Sequence, residues 1–444
     1  MPIKVGCISL GCSKNLIDSE IMLGMLDRNE YEITTDLQNA DVIIVNTCAF
    51  IGDAKEEAVD AILNTALYKE SGKLKTLIVA GCLAQRYKEE IIKEIPEVDV
   101  VIGTGSISEI ENAISEHVAG KKQRLYINDP TDIDYLDNSR MLSQTGATQY
   151  LKIGEGCSNF CTYCIIPSLR GPFRSRTMES IVDEAKKLVG AGAREIIIIA
   201  QDVSKYGVDR YSDCKLVELI RRLSDIEDLK WIRLLYCYPE GITDELIDEF
   251  KNNPKLIKYL DIPIQHASDS ILKAMGRKTN RNNLETLISK LRREVPDIIL
   301  RTTLITGFPG ETQEDFEILK EFIKDNKFDR LGVFAYSQEE GTPAARMKNQ
   351  IEESVKQQRK DEILLLQNEI VEPLVENRLN KTYEVVVEGV ADDGIFYYGR
   401  SYGESPEIDP VIYFTSKEPL EFGTFVKVKI LNIEKLDLIG DVII

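Results

Sequence analysis

The chain has 444 residues, room for about three domains at roughly 150 residues each, and its 43% hydrophobic content can give each one a core. The longest wholly aliphatic run, Ile196–Ala200, is far below the roughly 18 residues of a membrane span, and the opening MPIKVGCISLGCSKN has no secretory apolar stretch, so a soluble cytoplasmic protein is expected. With 55 basic against 74 acidic residues the net charge is −19, a field that repels nucleic-acid phosphates unless a local basic patch offsets it.

Residues 1–140 alternate short β-branched runs (Ile3–Leu10, Val42–Asn46, Thr76–Ala80) with helical patterns (Ser19–Arg28, Asp53–Tyr68). That alternation predicts right-handed βαβ units and a parallel sheet covered on both faces. The polar stretch Tyr126–Gln149 reads as a linker. Residues 149–372 hold a repeated βα unit and a trailing helix. The predicted strands are Tyr150–Ile153, Glu195–Ala200, Trp231–Tyr236, Tyr259–Pro263, Ile299–Thr306 and Leu331–Tyr336. Between them lie helical patterns at Met178–Val189, Leu216–Leu223, Asp244–Lys251, Arg281–Glu294 and Gln313–Asn326. Six such units suit an open, partial TIM-like barrel, whose sites gather at the carboxyl ends of the strands. A charged helix, Glu352–Asn377, leads into residues 375–444. There, alternating strands at Tyr383–Val387, Ile395–Gly399, Val411–Phe414 and Thr424–Asn432 predict a small OB-like β-barrel. The fold class is α/β with that barrel appended.

Nine cysteines form an odd number, in a chain expected where thiols stay reduced, and point to metal rather than disulfides. Cys157, Cys161 and Cys164 make a CxxxCxxC run just after the first predicted barrel strand. Zinc normally takes four protein ligands, and no histidine lies near this run. Three thiolates fit an iron–sulfur cluster with one open iron better. Cys12, Cys48 and Cys82 are 36 and 34 residues apart, and each closes a strand-like run. Carboxyl ends of parallel strands share one sheet edge, so these thiols can converge as a second triad; three buried core cysteines are the alternative. Cys7, Cys214 and Cys237 read as structural, and His117 and His266 have no catalytic partner in sequence, although the stretch around His266 can line the barrel mouth.

CxxxCxxC ahead of repeated βα units resembles the radical S-adenosylmethionine enzymes, and two cysteine triads with a terminal β-barrel resemble their methylthiotransferase family over essentially the whole chain. SLGCSKNLIDSE at 9–20, NTCAF at 46–50, AGCLAQRY at 80–87 and Arg170–Arg176 resemble the branch that modifies a ribosomal protein. Relatives acting on transfer RNA more often carry a Gly-Cys-Gln-Met-Asn motif at the first cysteine. The resemblance implies two 4Fe-4S clusters, an auxiliary one on Cys12, Cys48 and Cys82 and one on Cys157, Cys161 and Cys164 that binds S-adenosyl-L-methionine. It places Tyr163 against the adenine, or as plain packing. It places Gly307, Phe308, Pro309 and Gly310 beside S-adenosylmethionine, where a plain strand-to-helix turn is the alternative. Gln201 and Asp202 would meet the cofactor's amino group or ribose. Arg174 and Arg176 would meet a substrate or cofactor carboxylate, or stand solvated. No side chain is assigned a catalytic acid or base role.

The implied reaction uses two S-adenosylmethionine molecules. One methylates sulfur held at the N-terminal cluster; the other is cleaved reductively to a 5′-deoxyadenosyl radical. That radical takes hydrogen from the β-carbon of an aspartate in ribosomal protein twelve of the small subunit, and the carbon captures the methylthio group. An electron donor and a sulfur source are implied. The terminal domain, with thirteen acidic and seven basic residues, is suited to a basic ribosomal protein and argues against direct RNA binding. A transfer-RNA adenosine methylthiotransferase and a non-enzymatic metal-cluster scaffold are the competing readings.

Overall fold

The computed structural model describes residues 2–143 and 146–443. Met1 and Ile444, at the outer ends of the expected domains, and residues 144 and 145 of the expected linker lie outside the described residues. Contacts divide the chain into two units that interleave in sequence. Unit 1 takes residues up to 143 with 154–176 and 337–345; unit 2 takes 146–153, 177–336 and 346–443.

Unit 1 is built on a six-stranded parallel sheet of β1 (Ile3–Ser9), β2 (Tyr31–Ile33), β3 (Val42–Thr47), β4 (Thr76–Gly81), β5 (Val100–Gly103) and β6 (Leu125–Tyr126), in the order β2-β1-β3-β4-β5-β6. β3 and β4, VIIVNT and TLIVAG, are buried along their whole length, as central strands covered on both faces must be. The order turns back between β1 and β3. The crossover after β1 leads to β2 on one side and that after β3 leads to β4 on the other, so their loops part at the carboxyl edge and leave a crevice there. The first helix is Ser13–Met25, beginning six residues before the predicted Ser19. Its first turns bury Lys14, Asn15 and Asp18, and buried polar side chains hide the apolar period.

The stretch expected as a linker is in fact anchored. Ile133, Tyr135 and Leu136 are buried, and the Tyr135 hydroxyl donates to Glu155 Oε2 at 3.0 Å and Asp18 Oδ1 at 3.3 Å. Residues 154–176 belong to the same unit: Gly154–Glu155 pairs antiparallel with Arg174–Ser175, and Ile165 and Leu169 join the core around Val45, Val79 and Leu83. Burying two such side chains stabilises the attachment by about 1.5–3 kcal/mol each.

Unit 2 carries a second parallel sheet, in sequence order: β7 (Thr148–Lys152), β8 (Glu195–Ile199), β9 (Trp231–Leu234), β10 (Leu256–Gln265), β11 (Ile299–Thr306) and β12 (Arg330–Ala335). Its predicted helices occur at Met178–Gly190, Leu216–Ser224, Asp244–Asn252, Arg281–Glu294 and Gln313–Asn326. The helix Glu353–Glu376 follows and buries Val371 and Val375 in the core of a closed five-stranded barrel. The barrel comprises β13 (Thr382–Val390), β14 (Tyr397–Arg400), β15 (Ile412–Thr415), β16 (Phe425–Glu434) and β17 (Asp437–Val442). β17 was not expected, because the turn at Lys435, with φ of 58°, is too short to interrupt the run ILNIEKLDLIGDV.

The loop of residues 401–410, with Arg400 before it, stoppers the amino ends of the six parallel strands. Arg400 bonds Thr148 Oγ1 at 2.9 Å and Glu195 Oε2 at 2.8 Å, and Arg233 reaches Glu195 Oε1 at 2.8 Å and the Tyr402 carbonyl at 3.0 Å. Tyr259 donates to Asp409 at 2.7 Å, and Glu404 meets Arg378 and Arg330. Burial pushes the Glu195 and Glu404 carboxyls up, but their paired arginines overcome it and hold each down to about 2. Carboxylates depressed this way contribute stability that is complete above the ordinary range near 4.5 and is lost as pH falls towards 2. A thermal-midpoint series from pH 6 to pH 2.5 is expected to drop steeply below pH 4.5; a flat series would contradict the pairing. No helix among the described residues is long and apolar enough to cross a membrane.

Candidate functional site

Cys12, Cys48 and Cys82 stand at the crevice of the unit 1 sheet. Cys12 precedes the helix Ser13–Met25, Cys48 follows β3 directly, and Cys82 opens the helix Cys82–Tyr87 directly after β4. Gly11 has φ of 84°, and a Cβ there would lie 2.7 Å from Cys48 Cβ and 3.2 Å from its Sγ, so the turns bearing Cys12 and Cys48 touch. The three thiols share one electrostatic environment. Burial pushes Cys82 up to about 12, with the Arg170 charge opposing and Cys48 and Cys12 adding to the rise. Burial, reinforced by Cys12, also raises Cys48. Cys12 keeps solvent access at the rim; burial raises its thiol too, but Lys14 and Arg170 outweigh this and the net shift is downward.

Asn15 joins these turns. Its side-chain amide donates to the Leu10 carbonyl at 3.1 Å and the Thr47 carbonyl at 3.0 Å, while Oδ1 lies 4.0 Å from Cys82 Sγ and accepts from Arg170 at 2.5 Å. Arg86, on the helix after Cys82, donates to the Ala49 carbonyl at 2.9 Å and to buried Glu339 at 2.7 Å, which also takes Lys55 at 2.8 Å.

Cys157, Cys161 and Cys164 are also in unit 1, with Cys157 and Cys161 buried. Burial pushes Cys164 up to about 12, and Cys161 and Cys157 add to it. The Cys157 amide donates to the Gly171 carbonyl at 3.0 Å, closing the loop onto the helix Ile166–Arg170. Tyr163 is half-buried in this loop. Among the described residues no three Cys, His, Asp or Glu side chains close to the spacing of a single bound ion. One zinc needs thiolates about 2.3 Å from a single centre, whereas a cubane takes each thiolate on a different iron and so needs a wider set.

The other predicted residues lie in unit 2, at the carboxyl edge of its sheet. Gln201 and Asp202 follow β8, and Asp202 is buried, accepting from Ser204 Oγ at 2.5 Å. Gly307, Phe308, Pro309 and Gly310 follow β11. Gly307 has φ of 70°, and a Cβ there would strike the Lys356 side chain. Phe308 is fully buried, edge-on to Tyr336 at 5.5 Å. Sequence reasoning included Glu311 in this turn but gave it no role in holding it. Glu311 accepts from the Gly307 amide at 2.8 Å and the Phe308 amide at 3.3 Å, and is itself bonded by Arg359 at 2.7 Å. The only signal was the acidic residue at the end of GFPGE.

Arg174 is half-buried and Arg176 is buried, and both make contacts within the protein. Arg174 bonds the carbonyls of Pro172 at 3.0 Å, Arg170 at 2.5 Å and Pro130; Arg176 is buried against Asp137 at 3.2 Å. His266 is fully buried, its Nδ1 accepting from the Ser268 amide at 2.9 Å and its Nε2 3.6 Å from Glu311. Cys7 lies in β1, and Cys237 is fully buried. Cys214 lies 3.5 Å from the Ser204 carbonyl.

Three family profiles match: the uncharacterised protein family UPF0004 over residues 4–103, the radical SAM superfamily over 151–323 and the TRAM domain over 381–443. The chain is 57% identical over 446 residues to the ribosomal protein uS12 methylthiotransferase RimO of Acetivibrio thermocellus, covering 99% of this chain and 98% of that one. It is 52% identical over 441 residues to RimO of Trichlorobacter lovleyi, covering 99% and 98%. Among solved structures it resembles the radical S-adenosylmethionine methyltransferase TsrM from Kitasatospora setae, with cobalamin and a 4Fe-4S cluster bound. The TM-score is 0.57 at 12% identity, over 78% of this chain and 74% of that one. It also resembles the cobalamin-dependent S-adenosylmethionine radical enzyme OxsB, at TM-score 0.52 and 11% identity over 88% and 62%. At such identities the structural likeness speaks for the fold. With more than half of its residues shared along nearly its whole length, the chain belongs to the ribosomal protein uS12 methylthiotransferase family, RimO.

Proposed function

We propose that this chain is a cytoplasmic radical S-adenosylmethionine methylthiotransferase acting on ribosomal protein uS12, at the β-carbon of an aspartate. The observation that carries the reading is the convergence of Cys12, Cys48 and Cys82 at the sheet crevice, in the same unit as the CxxxCxxC loop. Two three-thiol sets fit two 4Fe-4S clusters, an auxiliary one and one that binds S-adenosylmethionine. Bound there, the clusters and S-adenosylmethionine would supply the methylthio sulfur and an adenosyl radical, which an unactivated C–H requires. Thiols raised to about 12 are protonated at neutral pH, and a bound metal core is what would draw their protons off.

Each remaining role belongs to this chain's own side chains. Gly307–Gly310, braced by Glu311, would bind S-adenosylmethionine with Gln201 and Asp202; within unit 1, Tyr163 of the CxxxCxxC loop would meet the adenine. Residues 1–140, 149–372 and 375–444 would act as the auxiliary-cluster, radical and substrate-recognition domains. Among 375–443, nine acidic but only five basic residues are well exposed, a surface suited to a basic protein rather than to RNA. An electron donor and a sulfur source would be further partners.

Anaerobic reconstitution followed by reaction with uS12 tests the proposal. Iron for two four-iron cores, 5′-deoxyadenosine and a methylthio mass on a uS12 aspartate peptide are expected. Iron for one core, or a methylthio mass on transfer RNA alone, would overturn it. Gly11→Ala adds a left-handed alanine, worth about 1–2 kcal/mol, and a clash with Cys48. Measured by iron content in a Cys157/Cys161/Cys164 triple-alanine background, it is expected to lose most of the auxiliary iron.

A further inference from the structure

Arg170 is 2% exposed, and a buried guanidinium is costly unless charge and hydrogen bonds both compensate it. Its NH1 bonds Asp18 Oδ2 at 3.0 Å and Glu155 Oε2 at 2.8 Å; both carboxylates are buried, and Tyr135 donates to both. One carboxylate would balance the charge, so the salt bridge alone does not explain where the rest of the group points. NH2 instead donates to Asn15 Oδ1 at 2.5 Å, an oxygen 4.0 Å from Cys82 Sγ. The Nδ2 of the same amide donates to the carbonyls of Leu10, two residues before Cys12, and Thr47, one residue before Cys48. Through one asparagine, the cation is therefore joined to the turns that carry all three N-terminal cysteines. Its own backbone lies beside Gly171, whose carbonyl holds the Cys157 amide at 3.0 Å.

We propose that Arg170, acting through Asn15, is a positioning residue for the Cys12/Cys48/Cys82 centre, fixing its three turns and setting the reduction potential of the iron–sulfur core they hold. The inference rests on the reading of that triad as a cluster site. Potentials of such cores follow net charge and hydrogen bonds around the sulfurs. A fixed cation close to the thiolates favours the more negative, reduced core; the two carboxylates bonded to its NH1 moderate that field.

The test uses the full chain with Cys157, Cys161 and Cys164 replaced by alanine, reconstituted anaerobically, so that only the N-terminal core reports. Its one-electron reduction is titrated with mediator dyes and followed by electron paramagnetic resonance. Arg170→Gln is expected to disfavour reduction at least tenfold, about 59 mV lower. Asp18→Asn, which leaves the cation less compensated, is expected to shift the potential the other way. Arg170→Lys, which keeps the charge, is expected to move it less than half as far as Arg170→Gln. A purely structural role would loosen the site in both Arg170→Gln and Asp18→Asn without opposite signs. Shifts of the same sign, or none, overturn the proposal. If Arg170→Gln retains no iron, the signs for Asp18→Asn and Arg170→Lys decide. A parent that binds no iron sinks the cluster reading itself and this inference with it, whereas a normally loaded parent with unmoved variants sinks the inference alone.

Discussion

Cys82→Ala is expected to abolish methylthio transfer to uS12 while leaving cleavage of S-adenosylmethionine intact. Cys82 opens its helix at the end of β4, is buried, and contacts the Asn15 amide that also holds the turns before Cys12 and Cys48. Removing it takes one of three thiolates from the auxiliary set without touching the CxxxCxxC loop. Changes in the shell around a metal already cost about 10–100-fold, so loss of a ligand should exceed about 100-fold in product. Bound iron should fall by about half, and 5′-deoxyadenosine should still form after reduction. Cys161→Ala gives the complementary result, with neither 5′-deoxyadenosine nor methylthiolated peptide. Iron and sulfide analysis, chromatography of the nucleoside and mass spectrometry of the peptide separate the two variants. A Cys82→Ala protein that still methylthiolates uS12 would falsify the two-centre assignment.

The largest effect on stability is expected from Glu195→Gln. Glu195 is fully buried, and it answers the charges of Arg233 and Arg400, themselves 0% and 1% exposed by side chain. An amide keeps the shape but leaves two guanidinium groups short of a countercharge in the interior. Breaking a buried pair this way costs about 3–5 kcal/mol, which for a unit of this size lowers the thermal midpoint by about 10 °C. Differential scanning calorimetry at neutral pH measures it. The variant should also lose part of the acid-side drop of the parent, since one of the two buried carboxyls held down to about 2 is gone and Glu404 remains. A midpoint within 2 °C of the parent would show that Glu388, 2.7 Å from Arg400, suffices as a countercharge.

The regular parts of this molecule were legible because hydrophobic period and strand length agreed. Ile299–Thr306, Arg281–Glu294 and Gln313–Asn326 occur with the boundaries their patterns predict, and Cys12, Cys48 and Cys82 follow β1, β3 and β4 as their spacing predicts. What escaped was written in polar residues. SKNLID hid the start of a helix because Lys14, Asn15 and Asp18 are buried, and DPTDIDYLDNSR looked like a linker because its buried apolar residues are few, Ile133, Tyr135 and Leu136, and its polar anchors pair with distant residues such as Arg176. Arg170 and Glu311 were given no role for the same reason. Each has its partners far along the chain, at Asp18 and Asn15 for one and at Arg359 for the other, and no local pattern announces a buried charge whose counterion is distant.

The stopper beneath the second sheet changes how the C-terminal seventy residues can be engineered. Because residues 401–410 and Arg400 neutralise charges fixed in the strands above, trimming the enzyme at residue 375 would take Glu404 and Asp409 from Arg330 and the Tyr402 carbonyl from Arg233, opening the interior rather than yielding a minimal catalytic core. Chimaeras that exchange this domain between relatives would need to transplant Arg400, Glu404 and Asp409 together with the strand-borne residues they match. The strands of the second sheet and the terminal barrel thus depend on each other to fold.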